Sequence, residues 1–369
     1  MWRRIRALII KEFLAIWNDK RSRAVIIIPP LIQLMVFGYA ASFDVNHVAT
    51  AIYNEDGGAT AAQLVAKFAG SPAFHILYHL DAQRQIADKI NSRAVSLIIH
   101  IRPTFTRDLM TGKPATIQAI VDGRESNTAL IILGYVNQIV ERFDQRWSLQ
   151  THQPLPPAQL VMRYWFNPNL QSRWFIIPGI VALLTMVVTI VVTALTIARE
   201  REIGTFEQLL VTPFSPLEIL IGKSIPALVI GVSEATFIIL AAVLWFHVPL
   251  RGSIALLYAG LLLYILAVIG IGLMVSSLAR TQQQAMLGAF LFVVPAVILS
   301  GFATPIANMP DFIQTITLAN PMRYFLVVVR GLFLEELPAD VVITQLWPMA
   351  VIAILTLNGA SWLFRHRAA

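Results

Sequence analysis

Six long apolar segments constrain the fold of this 369-residue chain more than any other feature of its sequence. A helix needs about 20 mostly apolar residues to cross a hydrocarbon core of roughly 30 Å. The sequence therefore predicts an α-helical polytopic membrane protein with six transmembrane helices. The first is expected to kink at Pro29 and Pro30, which remove backbone donors. The predicted spans are 24–43, 174–198, 225–246, 254–278, 286–303 and 344–364.

The composition of the chain agrees with a membrane protein. Charged residues make up only 13% of it, well below their share in soluble domains. The absence of cysteine excludes disulfides, thiolate zinc sites and cysteine nucleophiles. The net charge of +7 is concentrated in residues 1–23, directly before the first apolar segment. That pattern indicates a flank beside anionic lipid rather than a nucleic-acid surface.

The basic residues near the span ends predict how the chain crosses the membrane. With both termini in the cytoplasm, the inner segments after the first span hold Arg199, Arg201, Lys223, Arg280, Arg365 and Arg367. The short outer segments hold only Arg251, Arg323 and Arg330. We therefore expect a multi-pass protein of the cell inner membrane. A cleaved signal peptide, suggested weakly by Ala40-Ala41-Ser42, is the lesser alternative to an uncleaved first span.

Residues 44–150 alternate between strand and helix patterns and predict a small extracytoplasmic α/β domain, with a linker to residue 173. Asp81 is expected to cap the second helix of this domain. The histidines form no metal-ligand pattern, so we predict neither a metal site nor a catalytic residue. The predicted strands are 48–54, 73–80, 94–101 and 115–123, and the predicted helices are 59–69, 81–90, 103–110 and 126–149.

The stretch 304–335 is too apolar for an ordinary surface loop. Its two apolar pieces are each too short to span a membrane, and Asn320-Pro321 separates them. We expect a pair of re-entrant half-helices in the outer leaflet, with a surface hairpin as the alternative. The residues expected to shape this motif are Pro305, Met309, Pro310, Asn320, Pro321 and Arg323.

The segment 198–224, between the second and third spans, is short and highly charged. The chain is expected to turn at Gly204, and Thr205 to cap a short helix that carries Glu207 and ends at Pro213. Such a helix at the membrane surface predicts a docking element for a cytoplasmic partner. The alternative is a solvated turn. The segment opens with four residues of alternating charge, Arg199, Glu200, Arg201 and Glu202.

The part of this segment nearest the third span looks superficially like a phosphate-binding loop. Ser215 is expected to cap a second short helix, which leads into Ile221-Gly222-Lys223-Ser224. A phosphate-binding loop needs a glycine where this chain has Leu217, and no strand precedes the segment. ATP hydrolysis by this chain is therefore not predicted.

Four stretches of the sequence resemble the ABC-2-type permeases, the membrane subunits of ABC exporters with the type V fold. The stretch AREREIGTFEQLLVTPFSPLEILIGKSIP (198–226) is similar to the signature loop of that family. The others are RYWFNPNLQSRWFIIPG, SSLARTQQQA and LSGFATPIANMPDFIQ, the last followed by NPMRYF. The resemblance covers nearly the whole chain and is strongest to paired bacterial permeases of putative multidrug-type exporters.

This resemblance implies roles for named residues and partners. The loop after the second span would couple to a separate ATPase subunit, which would carry ATP and magnesium. A second permease subunit, identical or closely related, would complete a dimer lined by spans 2 and 5. The helix at about 2–18 would lie at the membrane interface, consistent with its basic and aromatic residues. Membrane lipid and a periplasmic adaptor are further candidate partners, whereas nucleic acid is not. The implied coupling residues are Arg199, Glu200, Arg201, Glu202, Gly204, Thr205, Glu207 and Pro213.

Glu234 lies near the middle of the predicted third span, where an ionisable group is costly unless it faces protein or water. Two interpretations stay open. It contacts a proton or cation on the transport path, or it forms an interhelical hydrogen bond to a group such as Gln33.

The leading function is export of an amphiphilic or hydrophobic substrate, powered by a separate ATPase. The alternatives are an ion-coupled secondary transporter and a membrane-anchored extracytoplasmic binding or sensor protein.

Overall fold

The computed structural model describes residues 2–18, 20–39, 47–124, 126–151, 171–206 and 215–368. The chain forms two compact units. One combines Met1–Ala41 with Trp165–Ala369, and the other is Ser42–Tyr164.

The smaller unit is an α/β domain. Its strands are β1 (Val48–Asn54), β2 (Phe74–Leu80), β3 (Leu97–Ile101) and β4 (Ile117–Val121). Its helices are α3 (Ala59–Ala69), α4 (Arg84–Asn91), α5 (Phe105–Met110) and α6 (Ser126–Thr151). Every strand and helix predicted for this segment is present, with ends that differ by at most a few residues. The side of the membrane on which the domain lies stays a prediction.

The four strands form one sheet in the order β2-β1-β3-β4. β1 is parallel to β2 and β3, whereas β4 is antiparallel to β3. Apolar side chains from both faces of the sheet are buried. Leu97 and Ile99 pack in one cluster with Phe68 of α3, and Ile98 belongs to a second cluster on the opposite face. The predicted cap at Asp81 is wrong. α4 begins three residues later, and the Asp81 backbone N–H donates to the Gln85 side chain at 3.0 Å.

The larger unit is helical. It contains α1 (Trp2–Asn18), α2 (Lys20–Tyr39), α7 (Ser172–Ile203), α8 (Pro216–Leu244), α9 (Ile254–Leu278) and α10 (Gln282–Ile298). These are followed by α11 (Asp311–Ile316), α12 (Pro321–Leu334) and α13 (Ala339–Ala368).

Four helices of this unit, α7, α8, α9 and α13, are long and apolar enough to cross a membrane. They correspond to four of the six predicted spans. The other two spans coincide with α2, of which Ile27–Tyr39 is the apolar part, and with the 17-residue α10. At 1.5 Å per residue, α10 is about 25 Å long and shorter than a typical hydrocarbon core. The described chain thus supports a multi-pass protein, and the count of six spans stays a prediction.

α7 is the central helix of the unit, and α2, α8, α9, α10 and α12 all pack against it. Its side chains are apolar all round, and most are buried within the chain itself. A helix that is hydrophobic on every side needs neighbours on every side. Motion of α7 is therefore sterically linked to motion of the surrounding helices.

The segment between α7 and α8 differs from its prediction in one respect. Ser215 caps a helix as expected, and Glu218 completes a capping box with it. This helix is not short, because it continues through Pro226 to Leu244 as α8 itself. The predicted second surface helix is therefore wrong. Its residues form the first turns of a membrane helix.

The stretch after α10 forms a broken pair of helices. Asp311–Ala319 and Pro321–Leu334 are bent by 84° relative to each other, which fits either a broken span or the predicted re-entrant motif.

Candidate functional site at the charged end of α7

α7 ends in a tight turn built by Gly204. This glycine has φ +78°, a left-handed backbone conformation that residues with a Cβ rarely adopt, and it is the C-cap of the helix. The Thr205 N–H donates to the Glu200 carbonyl at 2.9 Å. The turn fixes the last turn of α7, which contains Glu200, Arg201 and Glu202, and we call these three residues the charged hub.

Glu200 links α7 to two other helices. Its carboxylate lies 2.6 Å from Lys11 Nζ of α1 and 2.8 Å from Lys223 Nζ of α8. The Lys223 ammonium also lies 3.0 Å from the Glu12 carboxylate of α1. Lys223 is completely buried, and Glu12 and Glu200 are nearly so. Two cations and two anions therefore form a neutral network, which is the arrangement that a buried charge requires.

Close packing between α1 and α8 supports this network. Ile5, Leu8 and Glu12 are the buried residues of α1 and share one face of the helix. Leu8 packs directly on Gly222, where an added Cβ would lie 2.3 Å from a Leu8 methyl carbon. The glycine therefore brings α1 close enough for Glu12 to reach Lys223.

Arg201 links α7 to α9. Its Nη1 donates to the carbonyls of Ser277 and Ala279, at 2.9 and 3.2 Å, where α9 ends. Its guanidinium also lies 4.7 Å from the ring of Phe206, which packs edge-on against Phe364 of α13. Arg201 thus bonds the unpaired carbonyls at the end of α9 and, through Phe206, is in contact with an aromatic pair that includes a residue of α13.

Glu202 links α7 to α10. Its carboxylate accepts a hydrogen bond of 2.8 Å from the backbone N–H of Gln282, the first residue of α10. A carboxylate at a helix N-terminus is stabilised by the unpaired N–H groups and by the helix dipole. One turn before the hub on α7, the backbone N–H groups of Ile197 and Ala198 donate to Ser276 Oγ of α9. These bonds join α9 to α7 a second time. Three successive hub residues therefore hold four different helices.

The structure brings together most of the residues that the sequence singled out for coupling. Arg199 joins them, with Nη1 3.4 Å from the Ala15 carbonyl of α1. Thr205 belongs to the end of α7, where its hydroxyl donates to the Glu200 carbonyl at 3.4 Å. The helix that it was expected to cap, with Glu207 and Pro213, lies outside the described residues.

Sequence reasoning missed the partners Lys11, Glu12 and Lys223. Glu12 is the single acidic residue among the cations of α1. Its position one turn beyond Leu8 is the signal that could have placed it on the packed face of that helix.

Both carboxylate oxygens of Glu234 on α8 are buried, and neither has a hydrogen-bond partner among the described residues. The hydrogen bond to Gln33 considered above is not formed, although Gln33 itself is half-buried. The hydroxyls of Thr185 and Thr189 on α7 likewise lack partners within the described chain. The Thr189 hydroxyl faces α8, since it lies 2.7 Å from the position of a Cβ on Gly231.

The broken helix pair is held by its polar residues. Asn320 caps α12 by accepting from the Met322 N–H, and its Nδ2 donates to the Ala296 carbonyl of α10 at 2.7 Å. Arg323 donates to the Gln314 carbonyl and to the Thr317 hydroxyl.

The remaining predicted residues of this motif shape the bend and the turn before it. Pro305 begins a short 3-10 helix, and the Met309 carbonyl at its end accepts from Gln314 Nε2. Pro310 precedes α11, and Pro321 opens α12.

The α/β domain has a polar cluster at the carboxyl ends of β1 and β3. The Glu55 carboxylate lies 2.7 Å from His100 Nε2 and accepts from the Tyr53 hydroxyl at 2.8 Å. These two contacts lower the pKa of Glu55. Within the described ranges, no group of three or more histidine, aspartate or glutamate residues could hold a metal ion.

Apolar helices pack around α7, the charged hub lies at one end of that helix, and the broken helix pair follows α10. Together these features define a polytopic membrane protein of the permease class. A model of the family described as ABC-2 family transporter protein matches residues 20–362. The chain belongs to this family.

Relatives from Escherichia coli (strain K12) align over nearly the whole chain. The chain is 38% identical to a probable multidrug ABC transporter permease, YbhR, over 368 positions and the full length of both proteins. It is 34% identical to a second protein so described, YbhS, with 99% of this chain and 97% of that relative covered. It is 28% identical to an inner membrane transport permease, YhhJ, with 95% and 92% covered.

Proposed function

We propose that this chain is the membrane-spanning permease subunit of an ATP-driven exporter, and that the charged hub transmits motion from a separate ATPase. The observation that carries the proposal is the bonding of three consecutive residues. Glu200 joins α7 to α1 and α8, Arg201 joins it to α9, and Glu202 joins it to α10. A displacement applied at the loop after Gly204 would therefore reach five helices at once.

The distribution of basic residues supports a cytoplasmic hub. The first 23 residues and the segment that carries the hub are rich in Lys and Arg, which favours the cytoplasmic side. α1 suits an interfacial position there, because Trp2, Ile10, Leu14 and Trp17 are exposed on it. The α/β domain then lies outside the cytoplasm. The inner membrane is the expected location, and the relative YhhJ is named as an inner membrane permease.

We infer that the cargo is an amphiphilic or hydrophobic molecule. The broken helix pair and the apolar helix surfaces suit a substrate that enters from the membrane. Two of the relatives carry names that describe them as probable multidrug permeases. The unpaired surfaces of α8 and α10, with Leu240, Leu287 and Leu291 exposed, suit a second permease subunit or lipid.

The proposal is tested by co-purification and reconstitution with candidate ABC ATPase subunits from the same organism. We expect a stable complex with one such ATPase and ATP-dependent transport of amphiphilic dyes into inverted proteoliposomes. Glu202→Gln is expected to lower transport, because its neutral amide bonds the Gln282 N–H more weakly than a carboxylate does. Glu335→Gln, which removes an exposed carboxylate far from the hub, is the matched control and is expected to transport as the wild type does. A chain that never associates with an ATPase contradicts the proposal.

An ion-coupled transporter is the second candidate, favoured by the buried carboxyl of Glu234. It predicts that Glu234→Gln abolishes transport and that a proton or sodium gradient drives transport without ATP. Unchanged ATP-dependent transport by Glu234→Gln would exclude it.

A further inference from the structure

Arg330 of α12 is a partly buried cation for which the described residues supply no anion. Its Nη1 donates to the Gly301 carbonyl at 3.4 Å, and its Nε and Nη2 are buried without a hydrogen-bond partner. The contrast with Lys223 is direct, because two carboxylates surround that ammonium group. A buried charge without a counter-charge loses hydration, and a single long hydrogen bond from the described residues restores only part of it.

The two free donors of Arg330 lie on one edge of the guanidinium plane. Nε–H and Nη2–H point in parallel from this edge, and they match the two oxygens of a carboxylate or a phosphate. The Gly301 carbonyl is bonded to the other amino nitrogen. The edge left without a partner is therefore the one that recognises an oxyanion bidentately.

Aromatic rings hold the guanidinium in place without using these donors. Its Cζ lies 3.8 Å from the ring centre of Phe175 and 5.8 Å from that of Phe302. Gly179 of α7 allows this packing, since an added Cβ there would lie 2.6 Å from Phe302 and 3.2 Å from Arg330 Nη2. Cation–π contact stabilises the charge but leaves both N–H groups unbonded.

The surface beside Arg330 is apolar. Phe175 is 47% exposed, and Val327, one turn before Arg330 on the same helix, is 44% exposed. The acidic residues between positions 300 and 369 are all exposed, and none is ion-paired with Arg330: Asp311, Glu335, Glu336 and Asp340. A cationic centre beside apolar side chains fits an anionic head group whose hydrocarbon chain lies along the helices.

We propose that Arg330 binds the oxyanion of a membrane amphiphile through its Nε and Nη2 groups, with Phe175 at the entrance of the site. The shared chemistry is a phosphate or carboxylate head group. This site is independent of the charged hub, because its residues lie on the first turns of α7, on α12 and on the loop after α10.

The test is thermal unfolding of the purified full-length chain in dodecyl maltoside, with dodecyl phosphate as the probe. At a hundredfold excess over Kd, the wild type is expected to gain about 5 °C in Tm. Arg330→Met is expected to gain nothing, and without the probe to unfold at no lower temperature, since an unpaired charge has been removed. Arg330→Lys keeps the positive charge but lacks the two parallel N–H donors, and it is expected to keep less than half of the gain in Tm.

Two further probes, inorganic phosphate and dodecyltrimethylammonium, are measured in parallel. Stabilisation by dodecyl phosphate alone assigns the site to an amphiphile, and stabilisation by inorganic phosphate as well assigns it to the free head group. Equal stabilisation of wild type and Arg330→Met, or equal stabilisation by dodecyltrimethylammonium, overturns the proposal. Loss of a dimer in Arg330→Met, with no effect of dodecyl phosphate on the wild type, also overturns the proposal. In that case the two donors of Arg330 bind a group of a second permease subunit. Where Arg330→Met fails to fold, the comparison with Arg330→Lys decides.

Discussion

Glu200 and Lys223 form a 2.8 Å ion pair across the loop that joins α7 to α8. The pair closes the base of the segment that we propose as the ATPase docking element. Because Lys223 also contacts Glu12, the same pair ties the loop to α1. A displacement of the loop would thus be transmitted to α1 through a largely buried, electrically neutral network.

Replacement of Lys223 with Met is expected to destabilise the helical unit by about 3–5 kcal/mol, since Glu12 and Glu200 would share a buried site with only Lys11 beside them. Thermal unfolding of the detergent-solubilised chain measures this loss. Lys11→Met is the matched control. Its side chain is half exposed, and we expect it to cost about 1 kcal/mol or less. Equal losses in the two variants would show that burial does not govern this network.

Gly222→Leu is expected to displace α1 from α8, because even a Cβ at position 222 would overlap the Leu8 side chain. The predicted loss is about 1–3 kcal/mol, the usual range for overpacking. Leu8→Ala in the same chain is expected to recover part of it by opening space. A double-mutant cycle on the unfolding temperature checks this, and strictly additive effects would place Leu8 and Gly222 out of contact.

Asn320→Ala is expected to cost about 1–2 kcal/mol, because it removes both the cap on the Met322 N–H and the bond to the Ala296 carbonyl. Asn320→Asp keeps the acceptor but loses the Nδ2 donor, so it is expected to restore the cap and leave the carbonyl unpaired. Unfolding measurements on both variants separate the two contributions. An Asn320→Ala variant as stable as the wild type would refute this role.

The α/β domain is expected to lose stability in acid through Asp122. The Arg124 guanidinium holds the pKa of Asp122 at about 2. Because this value is below the unfolded value of about 4, the stabilisation is complete above pH 4 and disappears as the pH falls through about 2. Unfolding of wild type and Asp122→Asn between pH 6 and 2 checks this. The difference between them should shrink across that window, and a constant difference would contradict the pairing.

Much of this structure could be predicted from periodicity and end signals. The ends of β1, α3 and α9 follow directly from alternating or continuous apolar residues bounded by glycine, serine or charged residues. Gly204 and Ser215 were recognisable because a left-handed turn and a helix cap each favour a few residue types.

Other features depend on contacts that no local pattern contains. The ion pairs of Glu200 join residues from α1, α7 and α8, and the spacing between these helices depends on Gly222 and Leu8. The continuity of α8 was missed because Pro226 looks like a helix boundary, although it lies within the helix. The isolation of Arg330 is likewise visible only once its neighbours are known.

The central claim, that the charged hub couples ATP hydrolysis to movement of the membrane helices, is tested most directly by the number of cargo molecules transported per ATP hydrolysed. Arg201→Gln removes the guanidinium that holds the Ser277 and Ala279 carbonyls and lies over the Phe206 ring, and it leaves the sequence of the loop after Gly204 unaltered. In proteoliposomes that contain the ATPase, we expect this variant to bind the ATPase and hydrolyse ATP while its transport per ATP falls about tenfold, within the usual range of coupling energies. An unchanged ratio in Arg201→Gln, with Glu335→Gln as the reference, would contradict the account.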